Sequence, residues 1–415
     1  MKRVLAIITL LFFFFLNVPI LLADSNTSPP EIKGEAAYLI DVQSGQTLYS
    51  KNGEKLLAPA STTKIMTGLL AIELGDLEDT VTASETMLDY SIVYGTRIYL
   101  EPGEKLTLDD MLYALLLNSA NDAAVAIAEH IGGDLPTFVG LMNQKAAELN
   151  LKNTNFKNPS GLTEEGHLTT AHDLARIAQA AYANPTFRDY IKTKSHVIPR
   201  ETENVPIEMF NENKLLWKDD SITGMKTGYT AVAKNCLVTS SSRNGRELIA
   251  VILKSPGREI YTDMQALLDY GFEQFENTPY SELGGSLGQI DVQGQAIHLL
   301  TDQALWITKK KNGTPPDLRT NILPISGGLS GVTAGQTITQ LEVWEGDERI
   351  TVVPLTADRT VLNQLSEEKK PFALWLGLGF IISGSILFAG IQHIQHTQRR
   401  KERARLRRER CEHLK

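Results

Sequence analysis

The chain has 415 residues, 42% of them hydrophobic and 22% charged, which is long enough for two domains and too apolar for a disordered polymer. Its formal net charge is −8 although both ends are basic, so the body between them is more acidic than the whole. An acidic body excludes nucleic acid and anionic polymers as electrostatically steered partners.

Met1-Lys2-Arg3, the apolar run Val4 to Leu22 and the exit Ala23-Asp24-Ser25 have the layout of a secretory signal over residues 1–23, cleaved after Ala23. An uncleaved N-terminal anchor is the alternative, and either way the bulk of the chain is exported. Glu31 to Ser50 reads as a hairpin, with strand-like runs on both sides of Gln43-Ser44-Gly45. Helical spacing follows: Ile65 to Ile72 ending at Gly75, a second segment around Leu112, Leu115 and Leu116, and a third from Ala123 to Ile131 stopped by Gly132-Gly133. Leu135 to Leu149, with Pro136 in its first turn, and His172 to Ala183 complete this helical half. After Lys226-Thr227-Gly228 the pattern returns to strands, Asn235 to Ser240 and Glu247 to Leu253, and an amphipathic helix runs from Arg258 to Tyr270.

Strands at both ends with helices between them predict an α+β domain over residues 24–276, an antiparallel sheet covered by helices. From 277 to 365 the helical period disappears, and alternation around the Gly346-Asp347 turn predicts a small all-β domain. With no cluster of potential ligands it is assigned no chemistry, only the task of holding the first domain off a membrane. Phe372 to Ile391 is an uncharged apolar run of 20 residues, which at about 1.5 Å per residue matches a hydrocarbon core of about 30 Å. It is expected to be a transmembrane helix, with the arginine-rich tail 392–415 cytoplasmic and the rest outside. That topology puts the two cysteines, Cys236 and Cys411, on opposite faces of the membrane, so no disulfide framework or cysteine metal site is available.

Three short motifs carry the chemistry. Ser61-Thr62-Thr63-Lys64 follows Pro59 and opens the apolar helix, so the Ser61 hydroxyl and Lys64 amine share a face, at an end whose dipole favours an oxyanion. Composition alone yields about one or two such matches in a chain this long, and Ser366 to Lys369 is another. Ser119-Ala120-Asn121 lies at a corner between two helices, where Asn121 or Asp122 is suited to capping the second; Ser242-Arg243-Asn244 repeats the pattern in a turn. Lys226-Thr227-Gly228 is scarcer and reads otherwise as a strand end with a glycine turn.

Taken together and in this order, the motifs resemble the S-x-x-K, S-x-N and K-T-G elements of the penicillin-recognising serine enzymes. With these spacings, a second β domain and a membrane span, the chain is similar to a low-molecular-mass penicillin-binding protein of the D-Ala-D-Ala carboxypeptidase family, over about Glu31 to Thr356. Asn158 to Leu162 and Thr169 to Ala175 also fit the family and are taken as structural. Many members end in an amphipathic helix on the membrane rather than a span, and the residue after K-T-G varies, here Tyr229; the mode of anchoring is thereby in doubt.

The resemblance implies a β-lactamase/transpeptidase-like fold and a serine hydrolase that removes the terminal D-alanine of peptidoglycan stem peptides. An acyl-enzyme on Ser61 would carry the reaction, and penicillin would inhibit it. Lys64 would act as a neutral base, its pKa lowered by burial and by the charge of Lys226. Ser119 would relay the proton to the leaving amine, Asn121 would hold the substrate amide, and Lys226 and Thr227 would grip the terminal carboxylate. Gly228 would admit the substrate close to the strand, and the N–H groups of Ser61 and Tyr229 would form the oxyanion hole. The expected partners are D-Ala-D-Ala stem peptides, β-lactams and the membrane, with no cofactor.

A serine β-lactamase shares the motifs and differs by a deacylating glutamate, for which only Glu164 and Glu165 offer themselves; an inactive wall scaffold is the other alternative. His130, His167, His172, His196 and His298 are scattered singly, and His393 with His396 fall in the tail, so no metal is predicted. Cys236 is expected to be a packing residue rather than a thiol serving the cleft.

Overall fold

Five antiparallel strands form the central sheet of the structure, a computed structural model that describes residues 28–314, 316–325 and 329–362. Residues 1–23, expected to be a secretory signal, the apolar run Phe372–Ile391, the tail with Cys411, His393 and His396, and the stray match Ser366 to Lys369 lie outside these residues. Among the described residues no helix is long and apolar enough to cross a membrane.

The strands are β1 (Ala36–Asp41), β2 (Thr47–Lys51), β3 (Ile222–Thr230), β4 (Lys234–Arg243) and β5 (Arg246–Ser255), in spatial order β2-β1-β5-β4-β3. The hairpin at the start of the chain therefore pairs with the last strand of the unit, Tyr38 opposite Val251, and the helical half is inserted between them. Continuous burial along the middle of β4 and β5, rather than alternation, follows from covering both faces. On one face lie α1 (Lys64–Leu74), α2 (Leu108–Leu116), α3 (Asn121–Gly132), α4 (Leu135–Glu148), α5 (Ala171–Ala183) and α6 (Pro185–Lys192), around a core that includes Met66, Leu112, Ile127 and Val251. On the other lies α7 (Glu259–Gln274), whose Ile260, Met264, Leu267 and Leu268 meet Leu39, Leu248 and Ile252. This is the α+β architecture expected from the strand and helix patterns.

Helix α6 and two short ribbons, Thr80–Thr82 with Lys105–Thr107 and Ser195–Val197 with Glu208–Phe210, escape the sequence reading because three-residue strands and an eight-residue helix carry too little periodicity. Helix α3 also differs from expectation at its start. Its N-cap is Ala120, without a side-chain cap, because Asn121 and Asp122 are turned to other work described below.

Beyond α7 the chain forms β6 (Phe275–Ser281), β7 (Ser286–Val292), β8 (Gln295–Thr301), β9 (Leu305–Lys310), β10 (Leu318–Ile322), β11 (Thr337–Glu345) and β12 (Glu348–Ala357). A five-stranded sheet in the order β7-β8-β12-β11-β10 and the pair β6-β9 enclose a small core of Leu299, Leu341, Val353 and Leu355. The turn after β1 is clasped by this unit: Ser44 Oγ lies 2.6 Å from Thr308 Oγ1, the Thr308 N–H donates to Gln46 Oε1 at 2.6 Å, and Asn277 Nδ2 donates to Asp41 Oδ1 at 3.1 Å.

Candidate active site

Ser61 lies in a single 3-10 turn, Ala60–Thr63, that runs directly into α1. Ala60, the residue before it, is left-handed at φ 49°, which lifts the serine out of the helical path. The two threonines of the motif fasten this turn: Thr62 Oγ1 donates to Pro59 O at 2.7 Å, and Thr63 Oγ1 lies 2.9 Å from His167 Nε2. The Lys157 N–H donates to His167 Nδ1 at 3.1 Å, so Nε2 carries the ring proton and donates to Thr63. Burial drives the His167 pKa down from 6.5 to about 4, which keeps the ring neutral in this role. Behind the turn, Gly161 is left-handed at φ 85°, and a Cβ there would fall 1.8 Å from Ala60 O, so only glycine lets this stretch back the serine.

Lys64 is fully buried; its Nζ donates to Asn121 Oδ1 at 2.6 Å and Ser160 O at 2.7 Å, which uses both N–H groups of a neutral amine and leaves its lone pair for the Ser61 hydroxyl, 3.2 Å away. Burial first, and then the charge of Lys226, hold its pKa well below the ordinary lysine range. The hydrogen bond to this amine explains why Asn121 does not cap α3. Its Oδ1 faces Lys64 while its Nδ2 donates to Tyr94 O at 2.6 Å. Asp122 instead accepts the N–H groups of Ile98 and Leu100, fixing the loop that rims the cleft. Ser119 is 3% exposed and left-handed at φ 60°, a strained conformation for a non-glycine residue at the corner between α2 and α3.

The opposite wall is β3, an edge strand of the sheet. Lys226 is 1% exposed, and Thr227, Gly228 and Tyr229 line the cleft. A Cβ on Gly228 would stand 2.9 Å from Ser61 N and 3.1 Å from Ala60 Cβ, so the glycine permits the strand to touch the serine turn. Tyr229 is 63% exposed at the mouth. The cleft, of about 440 Å³, is bounded by Ser61, Ser119, Thr227, Gly228, Tyr229 and Glu212 among others, and the buried Lys64 with its partner Asn121 reaches it at Ser61, Lys226 at Glu212. All eight residues singled out in the sequence thus come to one place.

Other functional contacts were not legible. The backbone carbonyl of Ser160 holds Lys64, so the stretch 158–162, taken as purely structural, reaches the site itself. Glu212 accepts from Thr227 Oγ1 at 2.9 Å and lies 3.7 Å from Lys226 Nζ, although it belongs to no motif. Glu164 is exposed and bonded by Asn158 Nδ2 at 3.1 Å, and Glu164 and Glu165 are absent from the lining of the Ser61 cleft, which counts against the β-lactamase alternative. Cys236 lines the floor of the cleft yet is almost wholly buried, and burial pushes its thiol pKa up to about 12, which fits packing better than a reactive thiol. The histidines are less isolated than their spacing suggests. His172 gathers with Glu54 and Asp173, and His196 with Asp109 and Asp110; in each group the histidine also packs on an aromatic ring, Tyr38 or Tyr113.

A serine and a buried lysine on a helix start, facing a basic edge strand of an antiparallel sheet, define a serine hydrolase of the transpeptidase-like α+β class. Comparison with known proteins narrows this. The model of the Peptidase S11 family, described as D-alanyl-D-alanine carboxypeptidase, matches residues 23–257. The D-alanyl-D-alanine carboxypeptidase DacF of Bacillus subtilis is 35% identical over 340 residues, covering 80% of this chain and 86% of that protein. DacD of Salmonella typhimurium is 31% identical, covering 87% and 95% respectively. Penicillin-binding protein 5 of Haemophilus influenzae superposes with a TM-score of 0.65 at 27% identity, over 81% of this chain and 99% of that one. The chain belongs to the D-alanyl-D-alanine carboxypeptidase family of serine peptidases, the low-molecular-mass penicillin-binding proteins.

Proposed function

We propose that the protein removes the terminal D-alanine from peptidoglycan stem peptides through an acyl-enzyme on Ser61, and that the activity is blocked by penicillin. The observation that carries this reading is the 3.2 Å contact between Ser61 Oγ and the amine of Lys64, buried beside a second lysine. Neutral Lys64 takes the Ser61 proton as Oγ attacks the carbonyl carbon of the penultimate D-alanine. The N–H groups of Ser61 and Tyr229 receive the oxyanion, a contribution worth about 3 kcal/mol per donor in acyl transfer. Collapse breaks the C–N bond, and Ser119 passes the proton to the departing amine of D-alanine. Water then attacks the ester, with the Lys64 amine, neutral again, as base, and the proton returns to Ser61 as it is freed.

Asn121 orients the substrate amide, while Lys226 and Thr227 grip the terminal carboxylate. That grip makes the enzyme a carboxypeptidase rather than an endopeptidase. The apolar runs at the two ends of the chain support a catalytic unit outside the cell, exported by residues 1–23 and tethered by a span at 372–391, with the basic tail inside and the β unit, residues 277–365, as spacer. Intact-mass analysis after exposure to benzylpenicillin tests the core of the proposal. The native protein should gain the mass of one penicillin, and Ser61→Ala none. A stable adduct on the alanine variant would remove Ser61 from its role.

A further inference from the structure

Thr227 and Lys226, proposed above to receive the substrate's terminal carboxylate, are already in contact with a carboxylate. Glu212 Oε2 accepts from Thr227 Oγ1 at 2.9 Å and stands 3.7 Å from Lys226 Nζ. Its position is built, because the backbone on either side is pinned by two buried asparagines. Asn211 Nδ2 donates to Ile191 O at 3.0 Å and Thr193 O at 3.2 Å, and Asn213 Nδ2 donates to Gly224 O at 3.0 Å, at the root of β3. The Glu212 N–H itself reaches Leu117 O, two residues before Ser119. The pinned backbone aims the side chain at β3, yet it is 42% exposed while the Lys226 side chain is 1% exposed. The acid can retreat to solvent and the amine cannot.

We infer that Glu212 is a specificity-determining residue: in the free enzyme its carboxylate holds the seat of the substrate's terminal carboxylate, and an acidic substrate has to displace it. This rests on the carboxylate-grip reading above and extends it. Two carboxylates on one buried ammonium repel each other, so the two exchange rather than share the seat. While seated, Glu212 opposes the effect of burial on Lys226 and favours its charged form, so the ammonium is ready for the incoming acid. The consequence is a reduced apparent affinity, in proportion to the fraction of molecules whose seat is free. A substrate without a terminal carboxylate leaves Glu212 in place and is indifferent to it.

The test compares an N-acylated D-Ala-D-Ala peptide with its C-terminal amide, on the full chain and on Glu212→Gln, with benzylpenicillin acylation as a second acidic probe. Removing the charge should lower KM for the acid about five- to tenfold with kcat nearly unchanged, raise the penicillin acylation rate constant by a similar factor, and leave KM for the amide as it was. Glu212→Asp, which keeps the charge on a shorter arm, should fall between the two and serves should the glutamine variant misfold. An unchanged or raised KM for the acid overturns the inference. Lys226→Ala separates the underlying reading: if it affects acid and amide alike, the carboxylate grip itself is wrong, whatever Glu212 does.

Discussion

The two walls of the cleft each carry one fully buried lysine, and the environments of these two amines differ. Lys64, on the helical wall, is ringed by neutral groups, the Ser61 hydroxyl, Asn121 Oδ1 and Ser160 O. Lys226, on the sheet wall, has the carboxylate of Glu212 within 3.7 Å. Burial lowers the pKa of both, but only Lys226 has a counter-ion in contact, and its charge in turn depresses Lys64. Equal burial therefore yields a base on one side and an anchor for an anion on the other; the partners, not the depth, divide the labour.

Removing the base is expected to have the largest effect. Lys64→Met should slow acylation by about a thousandfold or more, and Lys64→Arg should do no better, because a guanidinium stays protonated at any working pH. Stopped-flow acylation with a chromogenic cephalosporin measures both, and a functional arginine variant would break the assignment of Lys64 as proton acceptor. Weakening the other wall should be milder and selective. Lys226→Ala should cost an acidic peptide about a hundredfold in kcat/KM while sparing its amide, the loss of one charge-assisted contact. The coupling between the walls has its own signature in the pH profile. Acylation requires neutral Lys64 and falls as pH drops through its lowered pKa. Without the Lys226 charge that pKa rises, so the acid limb of the profile in Lys226→Met should move to higher pH; a stationary limb would mean the two amines do not feel each other.

Smaller effects concern the support of the helical wall. Thr63 loses its partner in His167→Ala, which should cost about 1–3 kcal/mol of stability in denaturant unfolding. Because the folded ring resists protonation down to about 4 against an ordinary 6.5, its contribution is present above 6.5 and is lost as pH falls through that window. His167→Phe should flatten that part of the stability profile. Smallest of all, Cys236 should resist thiol reagents in the folded enzyme and react only after denaturation, since its thiol is buried and its thiolate strongly disfavoured.

Local chemistry made a good part of this molecule legible in the chain. Period-3.6 patterns located α1, α2, α3, α4, α5 and α7, with glycine stops at α1 and α3, and β-rich runs around short turns located β1, β2, β4 and β5, because such elements are long enough for their pattern to stand above noise. The motif residues Ser61, Lys64, Ser119, Asn121, Lys226 and Thr227 were readable because their types are those that acyl transfer needs, in a known order. What the sequence could not supply was everything made by meeting across the fold. The Ser160 carbonyl on Lys64 and the neutral His167 beneath Thr63 join positions about a hundred residues apart, and no spacing rule registers a backbone acceptor. Glu212 stood unnoticed between two asparagines until the tertiary structure laid it against β3. A carboxylate's meaning depends on which ammonium it faces, and that is decided by packing rather than by order along the chain.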